Sequence, residues 1–292
     1  MFRRSVVAAA LLLFACTSEP EVREKGSGAP PLWQIENARG QTEGWLFGTI
    51  HSLPQNTRWK TEQLDAVLKR SDLLVVEVAN LGDDAAIGRA FADLAYDSPP
   101  PDPVRDRIDP ANRARFEQLL TTAKVRRDFF DSMESWAAAL ALNQAAAGRR
   151  AQNGVDAALI ERFEGREVLE LEGATTQLGV FDTLPEADQR DFLNAIIEEA
   201  GDGEAELARL AHIWSTGDTK ALGATIDDGL LADPELYEAL LANRNRLWAD
   251  RLESLLTAPA RPLVAVGAAH MFGPDGLPAL LTERGYTVRQ VQ

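Results

Sequence analysis

The sequence predicts an α/β protein whose mixed central β-sheet is flanked by helices, with a helical insertion at about residues 81–153. Short apolar runs alternate with longer helical patterns, which is typical of a largely parallel sheet. The run LLVVEV at residues 73–78 is almost continuously aliphatic and predicts a strand buried on both faces. Residues 32–35 and 45–47 flank the turn sequence NARG, which predicts an opening antiparallel hairpin and therefore a mixed sheet.

The first 31 residues have the pattern of an export signal followed by a tether. Arg3 and Arg4 precede an apolar run, residues 6–14, that is too short to cross a bilayer as a helix. Cys16, the only cysteine, directly follows a small residue, as in a bacterial lipobox. We therefore expect residues 1–16 to be a lipoprotein signal peptide, Cys16 to be lipidated and residues 17–31 to be a flexible tether. An ordinary secretory signal with an incidental cysteine is the alternative.

Helices and strands alternate through the remaining domain, residues 32–292. Leu64, Val67 and Leu68 have helical spacing and predict a helix over residues 61–71. Asp109 and Pro110 predict the start of a second helix. Further helices are predicted at residues 157–163, 186–200, 204–214, 234–256 and 277–284, and further strands at residues 167–171, 263–266 and 286–291.

The composition indicates a globular domain and argues against nucleic-acid binding. The chain has 292 residues, of which 45% are hydrophobic, and a net charge of −15 that could not neutralise a run of phosphates. It also contains no nucleophile-elbow serine motif, no phosphate-binding P-loop, no H-E-x-x-H helix and no dinucleotide-binding G-x-G-x-x-G motif.

Two predicted strands end in the same small-residue turn closed by a histidine. The first turn is GTIH, from Gly48 to His51, and the second is GAAH, from Gly267 to His270. The chain has only three histidines, and we expect the third, His212, to be structural because it lies within a helix. The repetition predicts that the two turns meet and build one site, with the glycines allowing close approach of the backbone.

Two carboxylates follow strands in the same way, which makes four strand ends with polar side chains. Glu77 lies in or just after the buried run, and Glu172 follows the strand at residues 167–171. Imidazoles and carboxylates at the carboxyl ends of strands suit metal binding or proton transfer. Simpler interpretations stay open: Glu77 could pair with an arginine, and Glu172 could cap the next helix. Arg244 could pair with either carboxylate or hold a substrate carboxylate.

Several short motifs occur in order between residues 32 and 291: WQI at 33–35, LFGTIH at 46–51, VVE at 75–77, GVD at 154–156, LE at 171–172, RN at 244–245 and VGAAH at 266–270. Together they resemble the TraB/PrgY/gumN family, which is related to the Tiki metalloproteases. The chain also resembles, more distantly, proteins with the erythromycin-esterase/ChaN-like fold. One departure is Ala269, where many relatives have glycine.

The resemblance implies that His51, Glu77 and His270 are the catalytic residues and the ligands of a divalent metal such as Zn, Mn or Co. The residues implied to bind or support the substrate are Gly48, Gly267, Asp156, Glu172, Gln177, Arg244 and Asn245.

We therefore expect a metal-dependent, peptidase-like hydrolase of the cell envelope, lipid-anchored on the periplasmic face or in the outer membrane. Its substrate would be a peptide or a small molecule. Two alternatives stay open: a non-catalytic surface lipoprotein that binds haem or a signalling peptide, and a metal-free esterase-like site in which His51 or His270 activates water directly.

Overall fold

The computed structural model describes residues 28–54, 57–96, 102–147, 154–200, 203–227 and 229–292. The predicted signal peptide, the lipidation site Cys16 and residues 17–27 of the tether lie outside these ranges. Within them, no helix is both long enough and apolar enough to cross a membrane.

A six-stranded mixed sheet forms the centre of the fold, which confirms the predicted α/β class. The strand order is β4-β3-β5-β2-β1-β6. The strands β4, β3, β5 and β2 run parallel, whereas β1 is antiparallel to both β2 and β6. The bounds are β1 (Leu32–Glu36), β2 (Thr42–Thr49), β3 (Leu73–Val76), β4 (Glu167–Glu170), β5 (Pro262–Gly267) and β6 (Thr287–Gln290).

The predicted opening hairpin is also confirmed. β1 and β2 pair with Leu32 opposite Phe47, and the turn between them contains Gly40 at φ 74°. A positive φ is readily adopted by glycine, which explains the NARG turn. The buried run predicted at residues 73–78 stops pairing at Val76, so Glu77 lies immediately after β3.

Helices cover both faces of the sheet. They are α1 (Glu62–Arg70), α2 (Asp84–Ala95), α3 (Arg113–Ala123), α4 (Ser135–Ala147), α5 (Val155–Arg162), α6 (Ala174–Asp182), α7 (Glu186–Glu199), α8 (Gly203–Ser215), α9 (Thr219–Ala224), α10 (Pro234–Tyr237), α11 (Asn243–Leu256) and α12 (Leu277–Glu283). A π-helical turn, Glu238–Ala242, joins α10 to α11.

The first helix forms as the sequence predicts. The Thr61 side chain caps α1 by accepting from the backbone N–H of Leu64, and the apolar residues of α1 face the core. By contrast, the helix predicted from Asp109 begins only at Arg113. Its preceding turn is held by tertiary contacts instead, because the backbone N–H of Asp109 donates to the Asn194 side chain.

Alternate strand residues enter two separate hydrophobic layers. Leu74 and Val76 of β3 pack on one side of the sheet, whereas Leu73 and Val75 pack on the other. β3 and β5 are buried along their whole length. The segment between β3 and β4 contains α2, α3, α4 and α5, and its description as an insertion stays a prediction. Because apolar layers cover both faces of the sheet, the ends of the strands are the places where polar side chains can meet.

Candidate active site

Four parallel strands end at one edge of the sheet and supply the polar side chains. His51 follows β2, Glu77 follows β3, Glu172 follows β4 and His270 follows β5. The backbone N–H groups of Glu172 and Gly173 donate to the carbonyl of Glu77, which ties two of these strand ends together. The carboxyl edge of a parallel sheet is where such proteins bind ligands.

Glu77 is a buried carboxylate with donors on both oxygens. Its Oε1 accepts from the backbone N–H of Gly267 at 2.7 Å. Its Oε2 accepts from Gln177 Nε2 at 3.0 Å and from Arg244 Nη2 at 2.9 Å. Burial raises the pKa of Glu77, but the charge of Arg244 and the neighbouring histidines outweigh it and lower that pKa to about 2. Glu77 is therefore ionised at neutral pH.

Arg244 links this carboxylate to a second one. Its Nε and Nη2 donate to the two oxygens of Glu172 at 2.9 and 3.0 Å, and Nη2 also donates to Glu77. Its Nη1 donates to the carbonyl of Leu240 at 2.9 Å and lies 3.4 Å from His270 Nε2. Burial lowers the pKa of Arg244, but the two carboxylates raise it above its ordinary value.

Glu172 and Trp248 both contact the guanidinium of Arg244. Trp248 Nε1 donates to Glu172 Oε1 at 2.9 Å, and the guanidinium carbon of Arg244 lies 4.7 Å from the Trp248 ring centre. Helix α6 starts at Ala174, and no side chain caps it. Of the alternatives open from sequence, the structure therefore shows arginine pairing for both Glu77 and Glu172, and no capping by Glu172.

His270 is a buried imidazole held in one tautomer. Asn245 Nδ2 donates to the carbonyl of Asp275 at 2.7 Å, so Asn245 Oδ1 faces the ring and accepts from His270 Nδ1 at 2.6 Å. The lone pair on Nε2 therefore faces Arg244. Burial, together with the charge of Arg244, lowers the pKa of His270 from 6.5 to about 3, so this side chain is neutral.

His51 forms a separate dyad with Asp156, the second residue of α5. His51 Nδ1 donates to Asp156 Oδ2 at 2.6 Å, and the Thr49 hydroxyl donates to Asp156 Oδ1 at 2.6 Å. Helix α5 approaches through Gly154, where an added Cβ would lie only 2.8 Å from the carbonyl oxygen of His51. The carboxylate orients the imidazole and fixes the proton on Nδ1.

Gly48 and Gly267, the glycines of the two histidine turns, have different roles. A Cβ on Gly48 would lie 3.1 Å from the Cα of Ala268, so Gly48 allows the two turns to pack together. The backbone N–H of Gly267 instead supplies a hydrogen bond to Glu77. Thr49 pairs with Gly267, and His51 lines one pocket with Glu77, to which Gly267 donates, so the two turns share one region of the protein.

A small pocket with room for about one water molecule opens at this edge of the sheet. It divides the candidate residues into two groups. The pocket is lined by His51, Val76, Glu77, Val78, Leu81, Asp156 and Gln177. The second group is joined to Glu77 by the hydrogen bonds given above and consists of Glu172, Arg244, Asn245 and His270. His212 is exposed on α8.

The profile of the TraB/PrgY/gumN family matches residues 31–290, nearly all of the described domain. The chain belongs to this family. It is 26% identical over 247 residues to the uncharacterized protein YbaP of Shigella flexneri, covering 83% of this chain and 89% of YbaP. The YbaP protein of Escherichia coli strain K12 is also 26% identical, over 241 residues, covering 81% of this chain and 86% of that protein. No solved structure gives a significant match, so the finer likeness to the erythromycin-esterase/ChaN-like fold stays a prediction.

Three contributors to the site of this family member were missed from the sequence. Thr49 lies inside the GTIH turn, yet only its bond to Asp156 gives it a role. Trp248 lies four residues after Arg244, which puts both on one face of α11, and this spacing could have identified it. The π-helical turn before α11 has a sequence of ordinary helix formers and gave no signal.

The described residues do not form a metal-ligand set. Among them, no group of three or more His, Cys, Asp or Glu side chains is arranged to hold a metal ion. The residue types of His51, Glu77 and His270 suit a divalent cation. However, both oxygens of Glu77 bind donors of the protein, and Nε2 of His270 faces the Arg244 guanidinium. In this arrangement the predicted ligands do not fit a metal.

Proposed function

We propose that this member of the TraB/PrgY/gumN family is a hydrolase in which His51 is the general base. The observation that carries the proposal is the His51–Asp156 dyad, with its 2.6 Å hydrogen bond, at a pocket that also contains Glu77. A histidine whose Nδ1 is held by a carboxylate is a frequent arrangement for proton transfer near neutral pH.

The dyad supports hydrolysis in which water is the only reactant besides the substrate. His51 Nε2 takes a proton from water, and the water oxygen attacks the carbonyl carbon of the substrate. Asp156 and the ionised Glu77 stabilise the resulting imidazolium. The bond between the carbonyl carbon and the leaving group then breaks, and the imidazolium gives its proton to the leaving group. The apolar wall residues Val78 and Leu81 favour an apolar group beside the scissile bond. The family resemblance favours a peptide as the substrate.

The metal-dependent form of the proposal takes His51, Glu77 and His270 as ligands of Zn, Mn or Co. Its support is the resemblance to metalloproteases and the meeting of these residue types at one sheet edge. The hydrogen-bond donors on Glu77 and the Arg244 guanidinium beside His270 argue against metal binding. The hydrolysis step given above uses only water and groups of the protein.

The ligand-binding alternative has weaker support than hydrolysis. The pocket has room for about one water molecule, which is too little for a haem. We further propose that the protein is lipid-anchored in the cell envelope through Cys16.

The deciding experiment compares the purified chain with His51→Ala and Asp156→Asn on a panel of peptides and esters. His212→Ala is the matched control, because it removes the exposed histidine of α8. We expect His51→Ala to lose activity by about 10²–10⁴-fold. The Asp156→Asn variant should also lose activity because the amide no longer fixes the His51 tautomer, whereas the control should keep it.

The same assay with a chelator separates the two forms of the proposal. Activity that survives chelation supports the metal-free dyad. Activity that is lost with chelator and restored by Zn, Mn or Co supports the metal-dependent form. If no substrate is cleaved, or if His51→Ala cleaves as fast as the native chain, hydrolysis by His51 is ruled out.

A further inference from the structure

We infer that Arg244 is the built-in cation of this site, held by Glu77, Glu172 and His270 in the place that a bound metal would need. The inference does not depend on the proposed hydrolysis, since it concerns how the buried carboxylates are neutralised. It assigns these three residues as a receptor for a guanidinium group.

The hydrogen bonding of Arg244 is complete. A guanidinium has five N–H groups, and the described residues offer five acceptors. Nε and Nη2 donate to the two oxygens of Glu172, and Nη2 donates also to Glu77. Nη1 faces the Leu240 carbonyl at 2.9 Å and His270 Nε2 at 3.4 Å. This geometry leaves Arg244 no N–H with which to grip a substrate carboxylate.

The charges support the same assignment. The side chains of Glu77 and Glu172 are 7% and 6% exposed, and that of Arg244 is 11% exposed. Buried carboxylates are stable only when paired, and Arg244 pairs with both. A divalent cation on the Arg244 side of Glu77 would meet a positive charge at contact distance. It would have to displace the guanidinium from two carboxylates at once.

The receptor is held by groups other than Arg244. Gly267 donates to Oε1 of Glu77, Gln177 donates to its Oε2, and Trp248 donates to Glu172. Asn245 fixes the ring of His270. The acceptors should therefore keep their positions when the guanidinium is removed. Planar guanidinium ions fit such a fork, whereas an ammonium ion is a point charge without that geometry.

The first test measures bound metal and requires no enzymatic activity. The untagged full-length chain is incubated with Zn²⁺ or Mn²⁺, dialysed and analysed for metal content. We expect no stoichiometric metal in the native chain. One equivalent of metal, removed by chelator and lost in Glu77→Gln, would overturn the inference.

The second test is chemical rescue of Arg244→Ala, followed by thermal unfolding. Millimolar methylguanidinium should raise the unfolding midpoint of this variant by about 2–4 °C, and methylammonium at the same concentration should not. The native chain and Arg246→Ala should show no such rise, because Arg246 is a half-exposed arginine of the same helix. Equal effects of the two ions on Arg244→Ala would overturn the inference. If Arg244→Ala does not fold alone, the same variant refolded with each ion gives the comparison, and failure with methylguanidinium also counts against the inference.

Discussion

Glu77 shows at the residue scale how a charge is kept inside an α/β sheet. It follows the aliphatic strand β3 and is only 5% exposed, yet donors reach it from three separate elements. These donors come from α6, α11 and the end of β5. The same set of contacts that keeps Glu77 ionised places a guanidinium beside His270 and keeps that imidazole neutral.

The buried neutral His270 predicts a loss of stability in acid. Its pKa is about 3 in the folded chain and 6.5 ordinarily, so the unfolded chain binds more protons between these values. The free energy of unfolding should be highest above pH 6.5 and fall by up to about 1.4 kcal/mol per pH unit as the pH decreases toward 4.5. Below pH 4.5, Glu77 adds a loss of the same sign, because its pKa is also lowered.

Urea unfolding across this range, in the native chain and in His270→Gln, measures the effect. The variant should lose most of the dependence between pH 6.5 and 4.5, whereas His212→Gln should keep it. A His270→Gln variant with the slope of the native chain would contradict the prediction.

The positions of His51, Glu77 and His270 could be predicted because strand ends can be read from the apolar runs before them. Their partners could be predicted only in part. The sequence identifies Arg244 as a candidate partner of either Glu77 or Glu172. That Arg244 pairs with both depends on how α11 packs on the sheet. Spacing along the sequence does not contain that information.

At the scale of elements, the docking of α5 against the GTIH turn positions Asp156 in the candidate site. Its N-terminal Gly154 touches the backbone of His51, and the backbone N–H of Val155 donates to the carbonyl of Ile50 at 3.1 Å. This docking brings Asp156 within reach of the imidazole. A glycine is needed at the contact because any side chain would press on backbone atoms.

Gly154→Ala should therefore damage both stability and activity. The new Cβ would lie 2.8 Å from the His51 carbonyl oxygen, so α5 must shift. We expect a loss of about 1–3 kcal/mol in the free energy of unfolding, measured with urea, and a fall in any hydrolysis that depends on Asp156. Gly179→Ala in α6 is the control, because its Cβ would meet no atom within 4 Å. It should be neutral or stabilising, and equal losses in the two variants would refute the argument.

Most elements follow from the sequence, including the hairpin, α1 and the buried strands. The start of α3 and the π-helical turn do not. Asn194 holds the turn before α3 from a distant part of the chain, and the turn before α11 has no distinctive residues of its own.

At the scale of the whole molecule, the proposed lipid anchor decides where the site works. Changing Cys16 to Ser removes the only thiol that could carry the lipid. We expect this variant to lose labelling by a fatty-acid analogue and to move from the membrane fraction to the soluble fraction, because acyl chains supply the binding energy. Ser18→Ala should stay in the membrane fraction. Unchanged membrane association of Cys16→Ser would contradict the proposed anchor.

The α/β class could be predicted from alternating patterns, but the strand order could not. The two histidine turns suggest that β2 and β5 are neighbours, and they are. The position of β5 between β2 and β3 depends on pairings across almost the whole chain, which local patterns do not encode.

That position of β5 has a consequence for biogenesis. Until residues 262–267 are available, β2 and β3 have no strand between them, Glu77 lacks the Gly267 N–H and His270 is absent. Pairing of this kind closes long loops and is therefore slow. The protein consequently acquires its complete site only after residue 270 has been delivered, and a product that stops before residue 262 would have neither the centre of the sheet nor the site.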